Sequence, residues 1–133
     1  MSGGILVIED TPANSQLLDF LLRAHGYIPR IAATGEEGLQ LAEAEPPDLV
    51  LLDMRLPGLD GYEVALEMRK RPELRNTRIV AVTASAMVGE RERIVEAGFD
   101  GYIQKPIDPE TFMDQITRLL PDTPVVRDQS AGT

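Results

Sequence analysis

The chain has 133 residues, 43% of them hydrophobic, with 22 acidic and 13 basic side chains, a formal net charge of −9 and no cysteine. This length suits one domain with a sizeable core, and the missing cysteines exclude disulfides and thiolate metal sites and fit a reducing, cytoplasmic setting. The acidity disfavours direct nucleic-acid binding, while residues 1–8 carry no secretory n-region and no apolar run is long enough to span a membrane, so no membrane association is expected.

In chain order, Ile5–Ile8 reads as a first strand. Thr11-Pro12 opens a helix that places Leu17, Leu18, Leu21 and Leu22 on one face and stops at Gly26. His25, the sole histidine, sits at its end, where a cation or capping donor is favourable. Tyr27–Ala32 is a second strand, and Pro29, which cannot donate to a ladder, puts it at a sheet edge. Thr34-Gly-Glu-Glu37 has the form of a capping box for a second helix. The third strand, Leu49–Leu52, runs straight into Asp53 and then the turn signal Leu56-Pro57-Gly58. Asp60 and Glu63 form a second capping-box signature, and the helix they start must stop before Pro72. A fourth strand, Ile79–Val82, leads to a helix from about Ser85 to the left-handed cap expected of Gly98. A fifth strand, Gly101–Gln104, precedes a helix opened by Asp108-Pro109, with Phe112, Ile116, Leu119 and Leu120 inward and Pro121 as its stop. Residues 121–133 read as a flexible tail.

Five alternations of strand and helix predict an α/β fold: a doubly wound parallel sheet with helices on both faces. The order 2-1-3-4-5 puts the strand bearing Pro29 at an edge. Ligands of such sheets sit beyond the carboxyl ends of the strands, at the switch point between strands 1 and 3. Glu9 and Asp10 follow strand 1, Asp53 ends strand 3, Thr83 ends strand 4, and Lys105-Pro106 follows strand 5. Each has a modest reading: Asp10 as a helix cap, Asp53 as acceptor for turn amides, Thr83 as an ordinary strand residue, Lys105 as a solvated loop lysine. Together they do not, because adjacent carboxylates raise one another's pKa unless a cation sits among them. Oxygen-only ligands favour Mg²⁺ over zinc or copper.

The stretches "VIED", "LVLLDMRLPGLDGYEV", "VAVTA" and "GYIQKPI" carry a resemblance. Over about residues 4–120 the chain resembles the receiver domain of bacterial two-component response regulators, in its stand-alone, single-domain form. The resemblance implies a flavodoxin-like fold with five helices, a receiver domain over residues 1–120 followed by the tail, and a phosphorylation-activated switch. By the same resemblance Asp53 would be the phosphoacceptor, supplied by the phosphohistidine of a sensor kinase or histidine phosphotransfer protein. Asp10 and Asp53 would ligate Mg²⁺ directly, Glu9 through a water, and the backbone carbonyl of Arg55 would complete the protein's share. Lys105 would pair with the phosphoryl oxygens, and Pro106 would follow a cis peptide bond. Thr83 would contact the phosphoryl group and Tyr102 would be the aromatic switch. The readout face would be formed by strand 4, helix 4, strand 5 and helix 5, docking a downstream protein or, alternatively, a second copy of the chain as a homodimer. Such a protein is no enzyme in the ordinary sense, acting only on its own phosphorylation and dephosphorylation.

The acidic pair is Glu-Asp where the family more often has Asp-Asp, and Arg55 and Ser85 occupy positions that tune phosphate lifetime in the family. A haloacid-dehalogenase-like phosphatase would need an acid where Arg55 stands. A flavodoxin-like electron carrier would need a phosphate-cradling Gly/Ser/Thr-rich loop in place of Glu9-Asp10-Thr11-Pro12. The remaining alternative is a pseudo-receiver, an interaction module of the same fold that is never phosphorylated.

Overall fold

The computed structural model describes residues 4–84 and 87–120. Five strands, β1 (Ile5–Ile8), β2 (Arg30–Ala32), β3 (Leu49–Asp53), β4 (Arg78–Thr83) and β5 (Gly101–Gln104), alternate with five α-helices: α1 (Pro12–Ala24), α2 (Gly35–Ala44), α3 (Gly61–Arg69), α4 (Val88–Glu96) and α5 (Pro109–Leu119). The sheet order is β2-β1-β3-β4-β5, and every pairing is parallel. Among the described residues no helix is long and apolar enough to cross a membrane.

Strand alternation divides the core into two layers. Leu6, Ile8, Val50, Leu52 and Ala81 face one side, where they meet Leu39 and Ala42 of α2, Val64, Ala65 and Met68 of α3, and Ile94 of α4. Ile5, Val7, Leu49, Leu51, Val80 and Val82 face the other, against Leu18, Leu21 and Leu22 of α1 and Phe112 and Ile116 of α5. Leu119 and Leu120 pack only partly buried against this second layer. The uninterrupted hydrophobic runs of β1 and β3 are thus the mark of strands covered on both faces.

Local signals act as the residue types require. Asp60 accepts from the Glu63 amide while Glu63 accepts from the Asp60 amide, a complete capping box at the start of α3. At α2 the box is half formed: Thr34 accepts from the Glu37 amide, but the Glu37 carboxylate bonds the Ala33 amide instead. The α1 C-cap is His25, whose Nδ1 lies 3.0 Å from the Leu21 carbonyl, and Gly26 follows with φ +92°. The Tyr27 amide closes this turn onto the Leu22 carbonyl. That turn, with Pro29 behind it, shortens the second strand from the expected Tyr27–Ala32 to three residues. A 3-10 turn at Pro72–Leu74, absent from the sequence reading, links α3 to β4. The predicted start of helix 4 at Ser85, the stop at Pro121 and the tail over residues 121–133 lie outside the described residues. Tyr62 ties α3 to α4: its hydroxyl donates to Glu90, Arg93 lies 4.3 Å above its ring, and Phe99 meets it edge-on. Burial first, then the bonded Glu90 carboxylate, pushes the Tyr62 phenol up to about 12.

Candidate functional site

The carboxyl ends of β1, β3, β4 and β5 open into one crevice. Asp53 is the last residue of β3, held in register with Val82 of β4, and it is buried despite its charge. Its Oδ1 accepts from the Arg55 amide at 3.1 Å and from Lys105 Nζ at 3.2 Å. The turn-acceptor role that a strand-end aspartate commonly plays is therefore real here, but it accounts for only one of the two contacts.

Glu9 follows β1 and is equally buried, its side chain 1% exposed. Its Oε2 accepts from the Thr11 amide at 3.3 Å and from Asn14 Nδ2 at 3.4 Å. Its Oε1 has no hydrogen-bond partner among the described residues, and Lys105 Nζ stands 3.7 Å away. Burial, and after it the neighbouring Asp53 charge, holds the Glu9 carboxyl above the usual carboxylate range, with Lys105 pulling the other way. Asp10 is exposed and does not cap α1; the N-cap is Thr11, which makes no side-chain capping bond.

Carboxylate oxygens of Glu9, Asp10 and Asp53 lie within 4.8 Å of one another. A buried oxygen without a donor, three converging carboxylates and no sulfur or imidazole together fit a hard divalent cation with oxygen ligands. The structure thus brings Asp53 beside the adjacent pair Glu9 and Asp10, from which it is far removed in the chain.

Thr83 ends β4 and is buried, its carbonyl accepting from the Lys105 amide at 2.7 Å. That bond fixes the loop bearing Lys105, and the Lys105-Pro106 peptide is cis. Tyr102 is half-buried on β5, paired with Ala81 and packed against the layer under α2, α3 and α4. Arg55 is exposed at the crevice loop. Ser85 lies outside the described residues. Asn14 is a site neighbour that sequence reasoning missed. The available signal was its place in the first turn of α1, from which a side chain reaches back to the loop before the helix.

An acidic cluster and a lysine at the switch point of a 2-1-3-4-5 sheet match one known family along nearly the whole chain. The profile of the response regulator receiver domain covers residues 5–117, and the chain belongs to that family. It is accordingly a signalling protein of two-component systems, a phosphorylation-activated switch. Among curated relatives, the polar-differentiation response regulator DivK of Brucella ovis is 38% identical over 122 residues, spanning 92% of this chain and 99% of its own. DivK of Brucella anthropi matches at the same identity and coverage. Among solved structures, the receiver domain of the sensor histidine kinase PA1611 from Pseudomonas aeruginosa, with magnesium coordinated in its active-site cleft, is 35% identical. It superposes with a TM-score of 0.80 over 89% of this chain and 98% of its own. The chemotaxis protein CheY4 of Vibrio cholerae, 25% identical, superposes with a TM-score of 0.84 over 90% and 100%.

Proposed function

We propose that residues 1–120 form a receiver domain whose phosphoacceptor is Asp53, charged by the phosphohistidine of a sensor kinase or a histidine phosphotransfer protein. The observation that carries this reading is the convergence of the Glu9, Asp10 and Asp53 oxygens within 4.8 Å, with Lys105 Nζ 3.2 Å from Asp53. An Asp53 carboxylate oxygen attacks phosphorus in line. The P–N bond to the donor imidazole breaks, its electron pair stays on the departing nitrogen, which is protonated, and an acyl phosphate remains on Asp53.

Glu9, Asp10 and Asp53, with the Arg55 carbonyl, are the residues that would hold Mg²⁺. Bound there, the ion supplies positive charge to the phosphoryl oxygens and cancels the mutual repulsion of the three carboxylates. Lys105 turns its ammonium from Asp53 to the phosphoryl group. Thr83, beside it at the end of β4, reports the phosphoryl group through its hydroxyl, and Tyr102 follows as the strand-5 end adjusts. The donor docks over α1 and the Lys105-Pro106 loop. The altered output surface, β4-α4-β5-α5, binds a downstream protein or a second copy of the chain.

Incubating the protein with acetyl phosphate and Mg²⁺ tests the assignment. The wild type should acquire one acid-labile, hydroxylamine-sensitive phosphoryl group, and Asp53→Asn none. Undiminished labelling of Asp53→Asn would move the acceptor elsewhere. No labelling of the wild type by acetyl phosphate or by phosphohistidine donors would leave the pseudo-receiver, an interaction module never phosphorylated.

A further inference from the structure

The opposite end of β4 carries a second charged feature. Five of the chain's 13 basic residues, Arg69, Lys70, Arg71, Arg75 and Arg78, fall between positions 69 and 78, alongside one acidic residue, Glu73. Three of these arginines, Arg69, Arg75 and Arg78, line an open cleft of about 560 Å³ together with Asn76, Thr77 and Asp100. That volume lies within the range of small-molecule sites.

The arginines divide into two kinds. The Arg69 guanidinium is immobilised, donating to the Gly98 and Thr77 carbonyls at 3.0–3.1 Å and to Asp100 Oδ2 at 2.9 Å. Asp100 is engaged in turn, since the same oxygen accepts from the Ile79 amide at 2.8 Å. The one acidic group that lines the cleft among the described residues is therefore neutralised by Arg69. Lys70 and Arg71 point elsewhere, to Glu67 and Glu43. Arg75 and Arg78 have no ion pair among the described residues, although the chain's net charge is −9. Two unpaired guanidinium groups sharing one concave wall are a cationic seat in an otherwise acidic molecule.

We infer that this cleft binds a compact phosphate-type polyanion, held by Arg75 and Arg78 with the Asn76 amide beside them. Guanidinium groups match phosphate oxygens in bidentate geometry. Among the described residues no aromatic or aliphatic side chain lines the cleft, so it offers nothing to a nucleobase or an acyl chain and suits a ligand that is polar throughout. The site is separate from the acidic crevice: Arg78 begins β4, and Thr83 ends it.

Inorganic pyrophosphate is the probe, titrated at constant ionic strength into the full chain without divalent cations, with amide chemical shifts as the readout. Saturable shifts should centre on residues 75–78 and 98–100. The double variant Arg75→Gln/Arg78→Gln should bind more weakly by a factor of about ten or greater, with an unchanged melting temperature as its control for folding. Arg118→Gln, on α5, should bind as the wild type does. Shifts centred on Glu9, Asp53 and Lys105, equal affinity in the double variant, or a linear, unsaturable response would each overturn the inference.

Discussion

Lys105 holds its ammonium 3.2 Å from the Asp53 carboxylate across 52 positions of sequence, and it is the one cation within reach of two buried acids, Asp53 and Glu9, among the described residues. Neither acid is tolerable there alone, because charge removed from water must be compensated.

Lys105→Gln should therefore destabilise the metal-free protein at neutral pH by about 1–3 kcal/mol, read by urea unfolding. Saturating Mg²⁺ should restore most of that loss while phosphorylation by acetyl phosphate stays slow. A variant as stable as the wild type without metal would show that the ammonium does not compensate the acids.

Glu9 yields a pH prediction. Its folded-state value is raised, chiefly by burial and next by Asp53. For a carboxyl raised in this way, the stability contribution is complete below the unfolded value, about 4.3, and is lost as pH rises through the folded value. Without divalent cations, Glu9→Gln should gain stability relative to the wild type as pH increases through that window. With saturating Mg²⁺ the ranking should reverse, because a cation held in the proposed site would stabilise the ionised carboxylate. A difference independent of pH would mean that Glu9 is not protonated on burial.

Thr83→Ala separates chemistry from signalling. It should accept phosphate from acetyl phosphate at a rate close to the wild type, since in the proposed mechanism the hydroxyl is neither nucleophile nor ligand. Amide exchange over residues 87–120 should then no longer respond to phosphorylation. Loss of labelling as complete as in Asp53→Asn would make Thr83 part of the transfer step itself.

Gly61→Ala tests how the strand end is held. An added Cβ would stand 2.8 Å from Met54 Cα, a backbone atom that cannot swing aside, and 2.5 Å from the Met54 sulfur. The substitution should cost about 1–3 kcal/mol in thermal or urea unfolding. Because Met54 adjoins Asp53, it should also slow phosphorylation, whereas Gly89→Ala, where an added Cβ meets nothing within 4 Å, should do neither.

Strand and helix identities were legible because both-face burial leaves hydrophobic runs such as Leu49–Leu52 and because caps such as Asp60–Glu63 are local. The sheet order followed from Pro29 and the connection rules. Local pattern failed where backbone groups found nonlocal or unconventional partners. Tyr27 looked like a strand residue, yet its amide belongs to the end of α1. Glu37 looked like the second half of a capping box, yet its carboxylate reaches one residue further back. At the crevice, residue types and strand ends were readable in one dimension. The reach of Asn14 to Glu9 and the pairing of Arg69 with Asp100 depend on side-chain paths that no spacing rule encodes.

The brevity of β2 bears on how the protein behaves when crowded. An exposed sheet border is a template onto which another chain can add a strand, the first step toward fibrillar aggregation. Here that border is three residues long and is preceded by a proline that offers no amide hydrogen. Arg30, its first residue, is turned away to bind the carbonyls of Leu41 and Glu45 at the end of α2. A molecule whose sheet ends so abruptly on this side gives a misfolded neighbour little to grow from, even though Ile31 is left partly open to solvent there.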